Sequence, residues 1–479
     1  MMPLINKYKG LSETKKAALW YMMCSILLKG IALLTTPIFT RILSAEDYGL
    51  VSIYHSWADI VIIFISLRLD YSVFYKGMSK YRDDRDGYVA SMQAITTTTA
   101  LLCMLLYMVF SRSISAFTEL SFFIMILILL RSAVYPSYQF WMIRERYEYR
   151  YKRFVAVILG LTFVNAALGI LAVLAFPEKG GVARIVTDFA VYFAIGLCLY
   201  IVNFRKGLHK VKKEHIRFAL LFNLPLIPHY LSTYVLHNID RIMIQKMVGI
   251  VQAGIYSVAY SAGMMMNIVS SSLVNALTPW YYGKLENNNI GDVKRVFFPL
   301  MLCTCGLIFL FMLLAPEALM ILAPSEYSEA VYIIPPLSAS VIFALMYSFF
   351  SIPEFYFDAN KFSMFASMGA AIINLVMNFV FIRMFGYLAA GFTTLVSHMF
   401  MAGAHYVYVN LIIKRKGFDF INLKQVIFFY AMTTLVVVVM CLIYDYTLLR
   451  YSLALVALAV LLLKKQKIME IINTIRNEK

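Results

Sequence analysis

Lys29 and Arg131 are cations set among neighbours that are almost all apolar. Lys29 lies near the middle of the run from Ala17 to Phe39, within "CSILLKGIALLTTPIF", and Arg131 lies within "ILILLRSAVYPSYQFW". A run of that length can cross a bilayer. A lysine at its centre costs roughly 2.5–3.5 kcal/mol on insertion scales, and at that depth its stem cannot easily carry the ammonium to the interface. A carboxylate on a neighbouring helix, or an anion from outside the chain, must offset the charge. Arg131 is expected toward the cytoplasmic or interfacial end of its run. Asp59, Asp188 and Asp240 supply the opposite sign. Carboxylates inside a membrane pair with cations or relay protons, and Asp59, in the run after that of Lys29, is its expected neutraliser. Arg68 and Arg241 stand beside Asp70 and Asp240 and can pair with them rather than with a ligand.

His229 follows "LPLIP", where Pro225 and Pro228 should break a helix and open backbone to a cavity. A histidine there can bind hydroxyls, sense protons or serve as a satisfied core side chain. Tyr230 and Tyr234 stand next to it. Asn374 and Asn378 lie one turn apart on one helix face, a spacing suited to bonds between helices. Six scattered cysteines form neither a disulfide framework nor a zinc spacing, so no metal site is expected. The chain has no GxxxxGK[ST] phosphate loop and no paired-carboxylate or nucleophile arrangement in a loop, so neither an enzyme nor a cofactor is expected.

The elements that must hold these residues follow from composition. Hydrophobic residues make up 61% of the 479 and charged residues 14%, with mean hydropathy +0.75. That excludes a soluble protein and implies a polytopic, all-α membrane protein. Fourteen apolar runs stand between residues 17 and 463; the last two are short, so twelve to fourteen transmembrane helices are expected. Roughly three-quarters of the 43 basic residues fall in the amino-terminal tail, the even-numbered connections and the carboxy-terminal tail, which places both termini in the cytoplasm. The net charge of +17 is therefore topological, with a secondary attraction to anionic lipid, and does not point to nucleic acid.

The chain also repeats. "YGLVSIYHS" (48–56) aligns with "AGIYSVAYS" (253–261) at an offset of 205, and Gly181 matches Gly386 at the same offset. Six runs separate the matching elements, so the halves run in the same sense through the membrane, a parallel repeat with the substrate site expected between lobes. The expected divisions are a six-helix lobe at 1–210, a second at 211–418, and an added helix pair with a basic cytoplasmic tail at 419–479.

"TRILSAEDYGLVSIY", "NIDRIMIQKMVGIVQAGIYSVAYSAG" and "GAAIINLVMNFVFIRMFGYLAAGFTTLVSH" together resemble bacterial polysaccharide-repeat flippases of the O-antigen type, in the polysaccharide transporter branch of the multidrug/oligosaccharidyl-lipid/polysaccharide exporter superfamily. The resemblance spans about residues 15–412. It implies a two-lobe exporter of the bacterial inner membrane, working by alternating access on an undecaprenyl-diphosphate-linked oligosaccharide for O-antigen, lipopolysaccharide or a related surface polymer. The polysaccharide polymerase and a chain-length regulator are the implied partners.

For such a substrate, Lys29 and Arg131 become counter-charges for a diphosphate crossing a low-dielectric layer. Arg68 would receive it at the cytoplasmic end, and Arg241 would lie near its exit. His229 and Tyr230 could meet sugar hydroxyls and ring faces. Asp59, Asp188 and Asp240 are the candidates for charge pairing or for coupling to protons or sodium. The rivals are a multidrug or cation antiporter, which would want an acidic cavity, and a glycan polymerase, which would want a large external loop.

Overall fold

The computed structural model describes residues 12–207, 210–357, 359, 361–415, 420–464 and 466; the basic tail read from the sequence lies outside them. Among the described residues, twelve helices are long and apolar enough to cross a membrane, and Thr447–Leu463 is an apolar helix just shorter than these. The remaining run, the eighth, is present as a broken helix. Ile250–Gly263 (α10) passes through a 3-10 turn at Met264–Met266 into Asn267–Glu286 (α11).

Contacts divide the chain into two compact units, Met1–Leu231 and Ser232–Lys479. In the first, the spanning helices are α1 (Glu13–Ile42), α2 (Ala45–Ser66), α4 (Arg85–Thr118), α5 (Phe122–Tyr147), α6 (Tyr151–Ala175) and α7 (Gly180–Gly207). Two shorter helices, α3 (Ser72–Lys80) and α8 (Lys213–Asn223), accompany them. Serine side chains cap three of the helix starts. Ser12, Ser44 and Ser121 accept from the backbone N–H three residues on, satisfying donors that the first turn leaves open.

Helix α8 explains why the first unit ends some twenty residues beyond the expected division at 210. Lys212 Nζ lies 2.6 Å from Asp84, Ser91 Oγ lies 3.2 Å from His215 Nδ1, and Ala219 joins a core of Leu69, Val73, Phe74, Met78, Tyr88 and Phe140. The amphipathic segment after α7 is thereby docked on the first unit, so the repeat boundary and the packing boundary differ.

The second unit holds most of α9 (Ile227–Met247), then α10, α11, α12 (Ile290–Leu313), α13 (Ala315–Leu322), α14 (Ile334–Tyr356), α15 (Lys361–Phe385), α16 (Ala389–Arg415), α17 (Leu423–Ile443) and α18 (Thr447–Leu463). Helix α14 is its core, packed against α10, α11, α12, α16 and α17. One arginine ties the last helix of the final pair into this unit. The Arg450 guanidinium donates to the carbonyls of Leu313 and Tyr444 and to both Glu317 oxygens, at 2.9–3.1 Å. Arg450→Met leaves those acceptors unpaired, at about 1–3 kcal/mol. A lowered unfolding midpoint of the purified chain checks it.

Candidate functional site

In the first unit, α5 and α7 bring Arg131 and Asp188 together. Arg131 Nε lies 3.3 Å from Asp188 Oδ2, with both side chains nearly enclosed. Helix α5 runs on well past the apolar run, to Tyr147, so Arg131 lies in its first half. Tyr135 and Tyr192 each present a ring face 4.9 Å from the guanidinium carbon, the geometry of a cation–π contact. Asp188 also accepts from Tyr54 Oη at 3.4 Å and from Asn165 Nδ2 at 3.2 Å. The Asn165 carbonyl oxygen in turn accepts from Arg184. Four helices thus meet at one carboxylate: α7 carries it, and α2, α5 and α6 each contribute a donor or a cation.

The second unit builds a related arrangement without the cation. Asp240 on α9 is 1% exposed. It accepts from Tyr256 Oη (2.6 Å), Asn378 Nδ2 (2.6 Å) and Thr394 Oγ1 (2.8 Å). Asn378 also donates to Asn374 on its own helix and accepts from Thr393 on α16, so of the paired asparagines it is Asn378 that links helices. Each unit thus buries an aspartate held by a tyrosine and an asparagine from other helices. At the offset of 205, Asp188 falls on Thr393 of α16, and the carboxylate of the second unit stands on α9 instead. Arg241 turns away from Asp240. It bonds Ser257, Asn238 and the His237 carbonyl, and lies 4.3 Å from the Tyr260 ring. Among the described residues, Asp240 is held by neutral donors.

Lys29 stands just past the midpoint of the 30-residue α1. Its side chain is exposed, and among the described residues it forms no ion pair. The expected pairing with Asp59 is not made. Helix α1 packs on α6 and meets α2 only sparsely. Arg68 does not pair with Asp70 either. Leu67 and Arg68 are both left-handed, with φ of 46° and 52°, a conformation costly for side-chain-bearing residues. The Asn223 amide anchors this turn by bonding the Leu67 carbonyl. The turn sets the Arg68 guanidinium 4.0 Å from the Tyr71 ring, and Tyr71 meets Tyr230 at 5.1 Å. Asp70 lies buried beside it; burial pushes its carboxyl above the usual range, and the Arg68 charge pulls it back only in part. The helix break before His229 is present as a 3-10 turn at Leu224–Leu226. His229 is half-buried, with its ring 5.9 Å from that of Tyr230.

The family described as Polysaccharide biosynthesis protein matches residues 14–283, more than half of the chain. The chain belongs to that family. The matched stretch of this chain carries Lys29, Arg131, Asp188 and Asp240. A similar sequence, Lsg locus putative protein 1 of Haemophilus influenzae, is 22% identical over 281 residues, covering 57% of this chain and 67% of its own. Two solved structures share the fold. Lipid II flippase MurJ in its inward closed conformation aligns with a TM-score of 0.60 at 13% identity, over 94% of this chain and 100% of its own. An inward-facing multidrug resistance MATE family transporter of the MOP superfamily aligns at 0.58 and 12% identity, over 81% of this chain and 94% of its own.

For this family member the sequence reading missed Arg184, Tyr54 and Asn165. Arg184 stands at the very edge of its apolar run and reads as part of the connection before it; the helix starts at Gly180 and carries it inside. Tyr54 and Asn165 look like ordinary residues of apolar runs until a partner 134 or 23 positions away is known. The pairing of Asn165 with Arg184 had a signal available, since both are polar and lie inside neighbouring runs.

Proposed function

We propose that this chain flips undecaprenyl-diphosphate-linked oligosaccharide repeat units, of O-antigen or a related surface polysaccharide, from the inner to the outer leaflet of the bacterial cytoplasmic membrane. It does so by alternating access through a cationic path, without chemistry on the substrate, and hands the units on for polymerisation. The observation that carries this reading is Lys29: an exposed ammonium at mid-membrane depth, unpaired among the described residues, in a member of a polysaccharide biosynthesis family. A cation so placed is stable when water or an anionic headgroup reaches it. The fold shared with a lipid II flippase agrees with a lipid-linked substrate. Of the three candidate carboxylates, Asp188 is already neutralised by Arg131, whereas Asp240 is held by neutral donors and is the one we assign to hold a proton or sodium ion.

Cells lacking the chain test the reading. Complete lipid-linked repeat units should accumulate on the cytoplasmic leaflet and be cleared by the wild-type gene; no accumulation would favour a drug extruder. Energetics add a second expectation. With the cytoplasm negative, outward movement of an anion is downhill by about 2.3 kcal/mol per charge per 100 mV. Flipping in vesicles should therefore slow severalfold or more when the potential is collapsed, and an unchanged rate would refute it.

A further inference from the structure

The second unit buries an acid and an imidazole that the reading above does not use. Glu354, in the last turn of α14, and His405, on α16, are both fully buried. His405 Nδ1 lies 2.7 Å from Glu354 Oε1. The other two polar atoms, Glu354 Oε2 and His405 Nε2, have no hydrogen-bond partner among the described residues. The surroundings are aromatic. The Tyr347 ring lies 4.6 Å from the imidazole and that of Phe362, on α15, lies 5.6 Å away. Phe362 stacks in turn on Tyr408. Tyr347, from α14 itself, faces Ser363 on α15; Lys361 opens α15 and is exposed. No charged group other than His405 acts on Glu354 among the described residues.

The charge states of such a pair are unequal. With one titrating proton the pair is neutral, whether as carboxylic acid with imidazole or carboxylate with imidazolium. Removing it leaves a buried negative charge, and adding a second leaves a buried positive one; each carries the penalty of an uncompensated ion. A purely structural contact could be made by neutral groups with all polar atoms satisfied, whereas this pair leaves two unsatisfied. Nor does it suit a metal ion: with one carboxylate and one imidazole it has too few oxygen ligands for sodium or calcium.

We propose that Glu354 and His405 form a proton-binding site, distinct from Asp240, that holds one proton when closed and exchanges it when α14 and α16 admit water. Its role in flipping rests on the transport reading above; its existence does not. Loading and release of that proton couple flipping to the pH gradient, in addition to the potential.

The full-length protein in detergent, titrated downward from about pH 11 to about pH 5, should take up about one proton per chain more than the Glu354→Gln/His405→Gln variant. If that variant does not fold, Glu354→Gln alone, which keeps the shape and the contact to His405, should show the same deficit. In vesicles with the potential clamped at zero, wild-type flipping should respond to an imposed pH gradient. The Glu354→Gln variant should lose that response and keep potential-driven flipping. Equal proton uptake overturns the site, and a gradient response absent from the wild type or intact in the variant overturns the coupling. A wild type that does not flip at all defeats the transport reading instead, and the titration still decides the site.

Discussion

Asp188→Leu is expected to destabilise the first unit by about 3–5 kcal/mol, the cost of stranding a buried cation, and to abolish flipping with it. The carboxylate faces Arg131 at 3.3 Å and takes bonds from Tyr54 and Asn165. Its removal orphans three groups on three helices. The double variant Arg131→Met/Asp188→Leu separates folding from function. Replacing a buried ion pair by apolar residues of similar volume is often neutral or stabilising, so the double variant should regain most of the lost midpoint and accumulate in the membrane. Flipping should remain lost if the guanidinium between Tyr135 and Tyr192 meets the substrate. Recovery of both would make the pair a packing device. The measurements are the unfolding midpoint of the purified chain and leaflet-resolved lipid-linked glycan in complemented cells.

Sequence and structure agree most where the signal is long and periodic. Fourteen apolar runs became twelve long helices, a broken one and a short one, because a 20-residue hydrophobic stretch has few other ways to satisfy its backbone in lipid. The break at Leu224–Leu226 was legible from Pro225 and Pro228, whose rings and missing N–H groups are local facts. The site was legible only in part. Intramembrane charges announce themselves, so Arg131, Asp188 and Asp240 were identifiable as single residues, and the link between Asn378 and a neighbouring helix followed from its turn spacing with Asn374. Their partners were not. Asp59 was the obvious neutraliser of Lys29 by adjacency and depth, yet α1 packs on α6, and which faces of two helices meet depends on every other helix in the unit. Arg68 illustrates the same limit at short range. Its neighbour Asp70 is two residues away, but a left-handed turn anchored from Asn223, far along the chain, swings the guanidinium over Tyr71.

Lys29→Ala should do the opposite of Asp188→Leu: leave folding intact and remove transport. The side chain is exposed and makes no ion pair among the described residues, so alanine strands no partner and adds helix propensity. What it deletes is a counter-charge. A unit charge about 4 Å from a phosphate at an effective dielectric constant of about 20 is worth about 4 kcal/mol, and water competes for part of that. A loss of about 3 kcal/mol of stabilisation is roughly a hundredfold in rate. Lys29→Arg should retain most of the activity, since it keeps the charge at nearly the same reach, while Lys29→Gln, which keeps length and polarity, should behave like alanine. Initial flipping rates in vesicles loaded with the lipid-linked oligosaccharide rank the three variants. If glutamine matches wild type, hydration rather than charge is what the position supplies, and the cationic path loses its deepest member. If alanine matches wild type, the ammonium is a passenger whose insertion cost is met by lipid headgroups, and Arg131 becomes the first cation the diphosphate must meet.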